Sequence, residues 1–183
     1  MAFLVRKVNK IEEIYSLYGK QDLSQIYADI PTMEFRTKNG SFSSWFIDSL
    51  DQKENAFLAI AVTSSDIVKM DFIIINTDLL LSNSLEYKQT YAGREIAVPD
   101  LQNTHYDIIN VTLEKLINCT KVYQSIVEQD PNREKYFIRY AAGEIKDLLK
   151  KAIEDQRVDM SQMPNAKIAT PAPSARDLST TFT

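Results

Sequence analysis

Met33-Glu34-Phe35-Arg36-Thr37-Lys38-Asn39-Gly40-Ser41-Phe42-Ser43-Ser44-Trp45-Phe46-Ile47 carries the clearest local signal in this sequence. Met33, Phe35 and Thr37 alternate with Glu34, Arg36 and Lys38, which is the period of a strand with one buried face. Asn39-Gly40 then supplies two residues that tolerate positive φ, as a tight two-residue turn requires. Phe42 to Ile47 resumes an extended, aromatic-rich run. The stretch predicts a β-hairpin, and with it a sheet that the rest of the chain must cover.

Working outward, Phe3-Leu4-Val5 reads as a strand, and Ile11, Ile14, Tyr15 and Tyr18 place an apolar stripe on a short helix ending at Gly19. Phe57 to Thr63 and Val68 to Ile75 read as two further strands joined through Ser64-Ser65-Asp66, which favours an antiparallel meander. Asn76-Thr77-Asp78 can cap a short helix over Leu79 to Leu81, whereas Glu86 to Val98 fits a loop or an edge strand. From about Thr104 a helical spacing runs through Ile109, Leu113, Leu116, Thr120, Tyr123 and Val127. Asp130-Pro131-Asn132 interrupts it, and Ile138, Ala141, Ile145, Leu148 and Ala152 repeat it. The fold expected is therefore α+β: a small antiparallel sheet packed with a C-terminal pair of long antiparallel helices. Residues 1–156 are expected to form one domain. Residues 157–183, rich in Ala, Pro, Ser and Thr, are expected to form a flexible tail, because they offer too little apolar surface to offset ordering entropy.

Composition narrows the function classes. The 183 residues carry 21 Lys+Arg against 25 Asp+Glu, a formal charge of -4, which removes the broad basic field of a protein that coats nucleic acid. Cys119 is the single cysteine, so one chain can build neither a disulfide framework nor a thiolate metal cluster. The apolar runs are much shorter than a bilayer span, and Met1 to Lys7 lacks a secretory pattern. A cytoplasmic chain without membrane or cofactor is expected.

Few groups point to chemistry. Asp71, Glu86 and Lys88 can be written as a PD-(D/E)xK-like constellation, in which two carboxylates hold Mg²⁺ and a lysine supports the attacking water. Acidic-x-Lys triplets occur three times (Asp51-Gln52-Lys53, Glu86-Tyr87-Lys88 and Glu144-Ile145-Lys146), against a compositional background of roughly two. The signal is at background, and solvated surface charge is the favoured account of these triplets. His105 is the single histidine and reads as packing at a helix start, with Asn103 or Thr104 as cap. The four glycines are unclustered, so no phosphate-cradling loop exists. Arg36 and Trp45 on the hairpin have the composition of an interaction hot spot, though such a tryptophan is more often core.

Three stretches together, MAFLVRKVNK (1–10), EFRTKNGSFSSW (34–45) and VPDLQNTHYDIINVTLEKL (98–116), resemble the small accessory subunit of Lamassu-type bacterial antiphage defence systems. The likeness is one of texture and order over roughly the first two-thirds of the chain. It implies a cytosolic scaffold without catalytic residues. That scaffold would assemble with a coiled-coil, SMC-like ATPase and a nuclease effector, and would meet phage or plasmid DNA through the complex. A small Mg²⁺-dependent nuclease using Asp71, Glu86 and Lys88 is the alternative.

Overall fold

The computed structural model describes residues 2–163 apart from 10, 21, 27, 65 and 94. Among them, six strands form one sheet: β1 (Phe3–Val8), β2 (Phe42–Ile47), β3 (Met70–Asn76), β4 (Glu86–Gln89), β5 (His105–Ile109) and β6 (Phe137–Tyr140). Their order is β4-β5-β2-β1-β3-β6, and every neighbouring pair is antiparallel. The helices are α1 (Ile11–Tyr15), α2 (Asp29–Glu34), α3 (Lys53–Thr63), α4 (Thr77–Ser82), α5 (Leu113–Gln129) and α6 (Ala142–Glu154). The expected α+β class with an antiparallel sheet holds, on a larger sheet than the sequence suggested.

Both faces of this sheet are buried. Successive residues of a strand point to opposite sides, and β3 shows the result: Met70, Phe72 and Ile74 enter one core, Ile73 and Ile75 the other. The first core is closed by α3 and α6, and the second by α1, α2, α4 and α5. Asn76 accepts the N–H of Asp78 at 2.8 Å to cap α4, as its sequence predicted.

Several expectations are corrected. Asn39 (φ 55°) and Gly40 (φ 72°) do form the tight turn, closed by reciprocal main-chain bonds between Lys38 and Ser41. The arm before the turn is not a strand, however. Residues 29–34 are helical, with Pro31 in the first turn, where its missing N–H costs nothing. β2 pairs instead with β1 and β5. Phe57 to Thr63 is the second half of α3, not a strand. Ala56 to Val62 are all buried, so no polar face remains to mark a helical period. His105 to Ile109 is β5, and the helix begins eight residues after His105, at Leu113, with the Thr112 side chain as its cap. His105 is thus a strand residue, not a helix-start residue.

The expected helix pair is also corrected. β6 separates α5 from α6, and the two helices lie on opposite faces of the sheet, with α6 beside α3. The chain expected to leave the domain at residue 157 stays on it through Met163. Arg157 donates to Asp100 at 2.8 Å and to Asn55 at 3.0 Å, the Asp159 N–H meets the Ala97 carbonyl, and Val158 and Met163 pack on the first core. The remainder of the expected tail, residues 164–183, lies outside the described residues.

Candidate functional site

At one end of the central strands, where β1 leaves the sheet and β3 and β6 run alongside, a charged cleft of about 270 Å³ opens. Lys7, Asn9, Glu12, Glu13, Lys69, Asp71 and Arg139 line it. Alternation places Asp71 and Arg139 directly opposite each other on β3 and β6, and the guanidinium grips the carboxylate at both oxygens, at 2.6 and 3.1 Å. Glu12, in the first turn of α1, takes a second guanidinium in the same way: Arg133 donates to it at 2.9 and 2.7 Å, and Arg139 stands 3.6 Å away. The Arg133 hydrogen bond holds the Glu12 carboxyl below its usual range, and Asp71 raises the Arg139 guanidinium.

Behind these pairs further contacts tie the frame together. The Arg133 guanidinium lies 3.9 Å over the Tyr15 ring, and the Tyr15 hydroxyl donates to the Asp130 carbonyl at 2.9 Å. Burial works to raise the Asp130 carboxyl, yet the main-chain N–H groups of Glu134, Lys135, Tyr136 and Phe137 all donate to it and bring it below its ordinary value. Asp130 therefore shapes the turn that delivers Arg133 and β6. The arrangement ties α1 to β6 through paired charges, with Lys7 and Lys69 at the rim.

The proposed metal triad is not assembled. Asp71 is on β3, whereas Glu86 and Lys88 are on edge strand β4 with β1, β2 and β5 between, a span of roughly 19 Å at ordinary strand spacing. Glu86 is engaged by Lys115 at 2.9 Å and Asn110 at 3.0 Å, which lower its pKa, and Lys88 is exposed. No group of three or more His, Cys, Asp or Glu side chains suited to a metal occurs among the described residues.

Trp45 and Arg36 separate too. Trp45 is 4% exposed and packs edge-on against His105 with ring centroids 5.0 Å apart, while Arg36 is exposed in the segment after α2. Trp45 is a core residue, which corrects the hot-spot assignment. His105 is itself buried, with Nδ1 2.9 Å from the Thr90 hydroxyl and Nε2 3.9 Å from Asp107 Oδ1, an atom that has no hydrogen-bond partner.

A second buried cluster escaped sequence reasoning. Arg6, in the middle of β1, donates through Nη2 to the Glu34 carbonyl at 2.7 Å and to its carboxylate at 3.4 Å, with the guanidinium 4.4 Å from the Phe42 ring centre. Arg6 Nε and the Tyr123 hydroxyl are buried without partners. The nearby Cys119 thiol is pushed up to about 12 by burial, which makes it a packing group and not a nucleophile at neutral pH. The available signal was the charge of Arg6 standing between Leu4 and Val8 on one face of the first strand.

Comparison with known proteins adds no identity: no family model, curated protein or solved structure matches this chain. No helix among the described residues is long and apolar enough to cross a membrane.

Proposed function

We propose that this chain is a non-catalytic accessory subunit of a bacterial complex that defends against phage or plasmid DNA. It would assemble with an SMC-like ATPase and a nuclease effector in the cytoplasm and reach DNA through them. The observation that carries the reading is the state of the carboxylates. Asp71 and Glu12 are each closed by a bidentate guanidinium and Glu86 by Lys115, so a divalent cation would have to displace a positive charge already in place. The resemblance over residues 1–10, 34–45 and 98–116 supplies the identity of the partners. Leu113 and Ile117, one turn apart on α5 at 82% and 43% exposure, offer a protein partner an apolar pair that the fold itself does not use.

Co-expression with the neighbouring open reading frames, followed by affinity purification and mass measurement, tests this. The expected result is a stoichiometric complex that Leu113→Asp with Ile117→Asp weakens, while monomer stability shifts by less than about 0.5 kcal/mol, as at other exposed sites. A chain that purifies alone and nicks plasmid DNA with Mg²⁺, losing that activity in Asp71→Ala and Glu86→Ala, would establish the nuclease instead.

A further inference from the structure

β4 is an edge strand whose outer side meets no other strand among the described residues. Its register with β5 settles which main-chain groups face outward. The Thr90 N–H donates to the His105 carbonyl at 3.0 Å, one step beyond the paired residues Gln89 and Tyr106. In an antiparallel ladder, hydrogen-bonded and non-hydrogen-bonded pairs alternate. Lys88 and Glu86 therefore direct their N–H and C=O groups inward to Asp107 and Ile109, and Tyr87 and Gln89 direct theirs outward to the open side.

The charges along this edge are self-complementary, since reading Glu86-Tyr87-Lys88 in reverse exchanges their signs. Glu86 and Lys88 flank Tyr87 symmetrically. Antiparallel pairing of two copies about a two-fold axis through Tyr87 sets Tyr87 opposite Tyr87, with reciprocal N–H to C=O bonds. It also sets Glu86 opposite Lys88 of the second copy on both sides of the axis. These charged pairs occupy the non-hydrogen-bonded positions, where directly opposed side chains stand closest. The next outward N–H, from Gln89, then meets the Leu85 carbonyl of the second copy. The Leu85 N–H is already given to the Leu80 carbonyl, so this register leaves no donor of that residue stranded. Lys88 is exposed, and the Glu86 side chain is 56% exposed beyond its bond to Lys115, which leaves room to accept a second cation.

The opposite edge lacks this property. On β6 the Ile74 N–H bonds the Tyr136 carbonyl, so Phe137 and Arg139 face outward, and pairing two copies about Arg139 would set one guanidinium against another. Edges that avoid self-association carry like charge or proline. β4 has no proline and carries opposite charges in a self-complementary order.

We propose that the open edge of β4 is a homodimer interface, in which two copies pair antiparallel through Tyr87, with Glu86 and Lys88 exchanging ion pairs across the two-fold axis, and the two sheets run on as one.

Sedimentation analysis of the full chain from about 1 to 100 µM, the range expected for a small interface, tests it. The wild-type mass should rise to twice 20.9 kDa. Lys88→Glu, and separately Glu86→Lys, each places like charges opposite one another and should weaken the dimer about tenfold or more. An equimolar mixture of the two variants restores opposite charges at both positions and should recover the dimer. Gln89→Pro removes an outward N–H without touching the ladder to β5 and should abolish association, with far-UV circular dichroism confirming the fold. The proposal is overturned by a wild-type chain that stays monomeric throughout, including one that instead captures a different protein along this edge. A dimer indifferent to Lys88→Glu and Glu86→Lys, or a variant mixture that fails to associate, would also overturn it.

Discussion

Trp45→Ala is the most informative single change, because it separates the two roles that a tryptophan on β2 can have. Trp45 is 4% exposed, lies opposite Val5 on one neighbouring strand and His105 on the other, and meets the His105 ring edge-on. An indole in this setting buries roughly 200 Å², which at about 25 cal/mol per Å² is an upper figure near 5 kcal/mol. Partial collapse of the site recovers some of that, so the expected loss is about 3–5 kcal/mol. For a chain of this length about 2–4 °C is lost per kcal/mol, so Tm should fall by about 6–20 °C. Trp45 is the single tryptophan in the sequence, so the urea titration is followed by far-UV circular dichroism and not by indole fluorescence. Trp45→Phe, which keeps an aromatic ring in the core, should cost about half as much. A loss below about 1 kcal/mol, combined with selective loss of partner binding in the folded variant, would refute the core assignment and restore the interaction anchor.

Further outcomes follow from two buried groups. Asp130 accepts main-chain N–H groups from residues 134–137, so Asp130→Ala should cost about 2–4 kcal/mol by stranding those donors. Because its folded pKa lies below the unfolded value near 4, its stabilisation is complete above that pH and is lost as pH falls through the folded value; Asp130→Asn should flatten the acid limb of a stability-versus-pH curve, and an unchanged limb would contradict this. Cys119, with its thiol raised to about 12, should resist a thiol reagent at pH 8 in the folded chain and react at the rate of a free cysteine once denatured, whereas rapid labelling of the native chain would place the thiol at the surface.

The parts of the fold that the sequence revealed are those where side-chain chemistry dictates one local conformation. Asn39-Gly40 demands positive φ, Asn76 caps α4, and Asp130-Pro131-Asn132 ends α5. The parts it hid are those where periodicity carries no information. In α3 every residue from Ala56 to Val62 is buried, so its helical face is invisible and the run imitates a core strand. Length and composition favoured the helix: three alanines among seven apolar residues, following the polar Lys53-Glu54-Asn55. In β5 and β6 the reverse occurs. Ile109 and Ile138 happen to fall in phase with the helices that follow, so a short strand and a helix merge into one apparent stripe.

The candidate site was less legible for a physical reason of the same kind. Arg6–Glu34, Arg133–Glu12 and Arg139–Asp71 join positions 28, 121 and 68 residues apart, and no spacing rule within one element relates them. Asp71 and Arg139 meet because β3 and β6 are neighbours in a sheet whose order is not the order of the chain, while Glu12 and Glu34 reach their arginines from α1 and α2, which pack on that sheet. The Glu86–Lys88 signal is different, since its partners lie two residues apart and its meaning depends only on β4 being a strand at an edge. In a central strand the same triplet would be spent on its neighbours. At the edge, its alternation fixes which groups remain free, and its charge order fixes which chain they suit. The sequence alone left this segment open between loop and strand, and once β4 is placed at the edge, an acidic-x-Lys triplet at compositional background becomes a register for self-pairing.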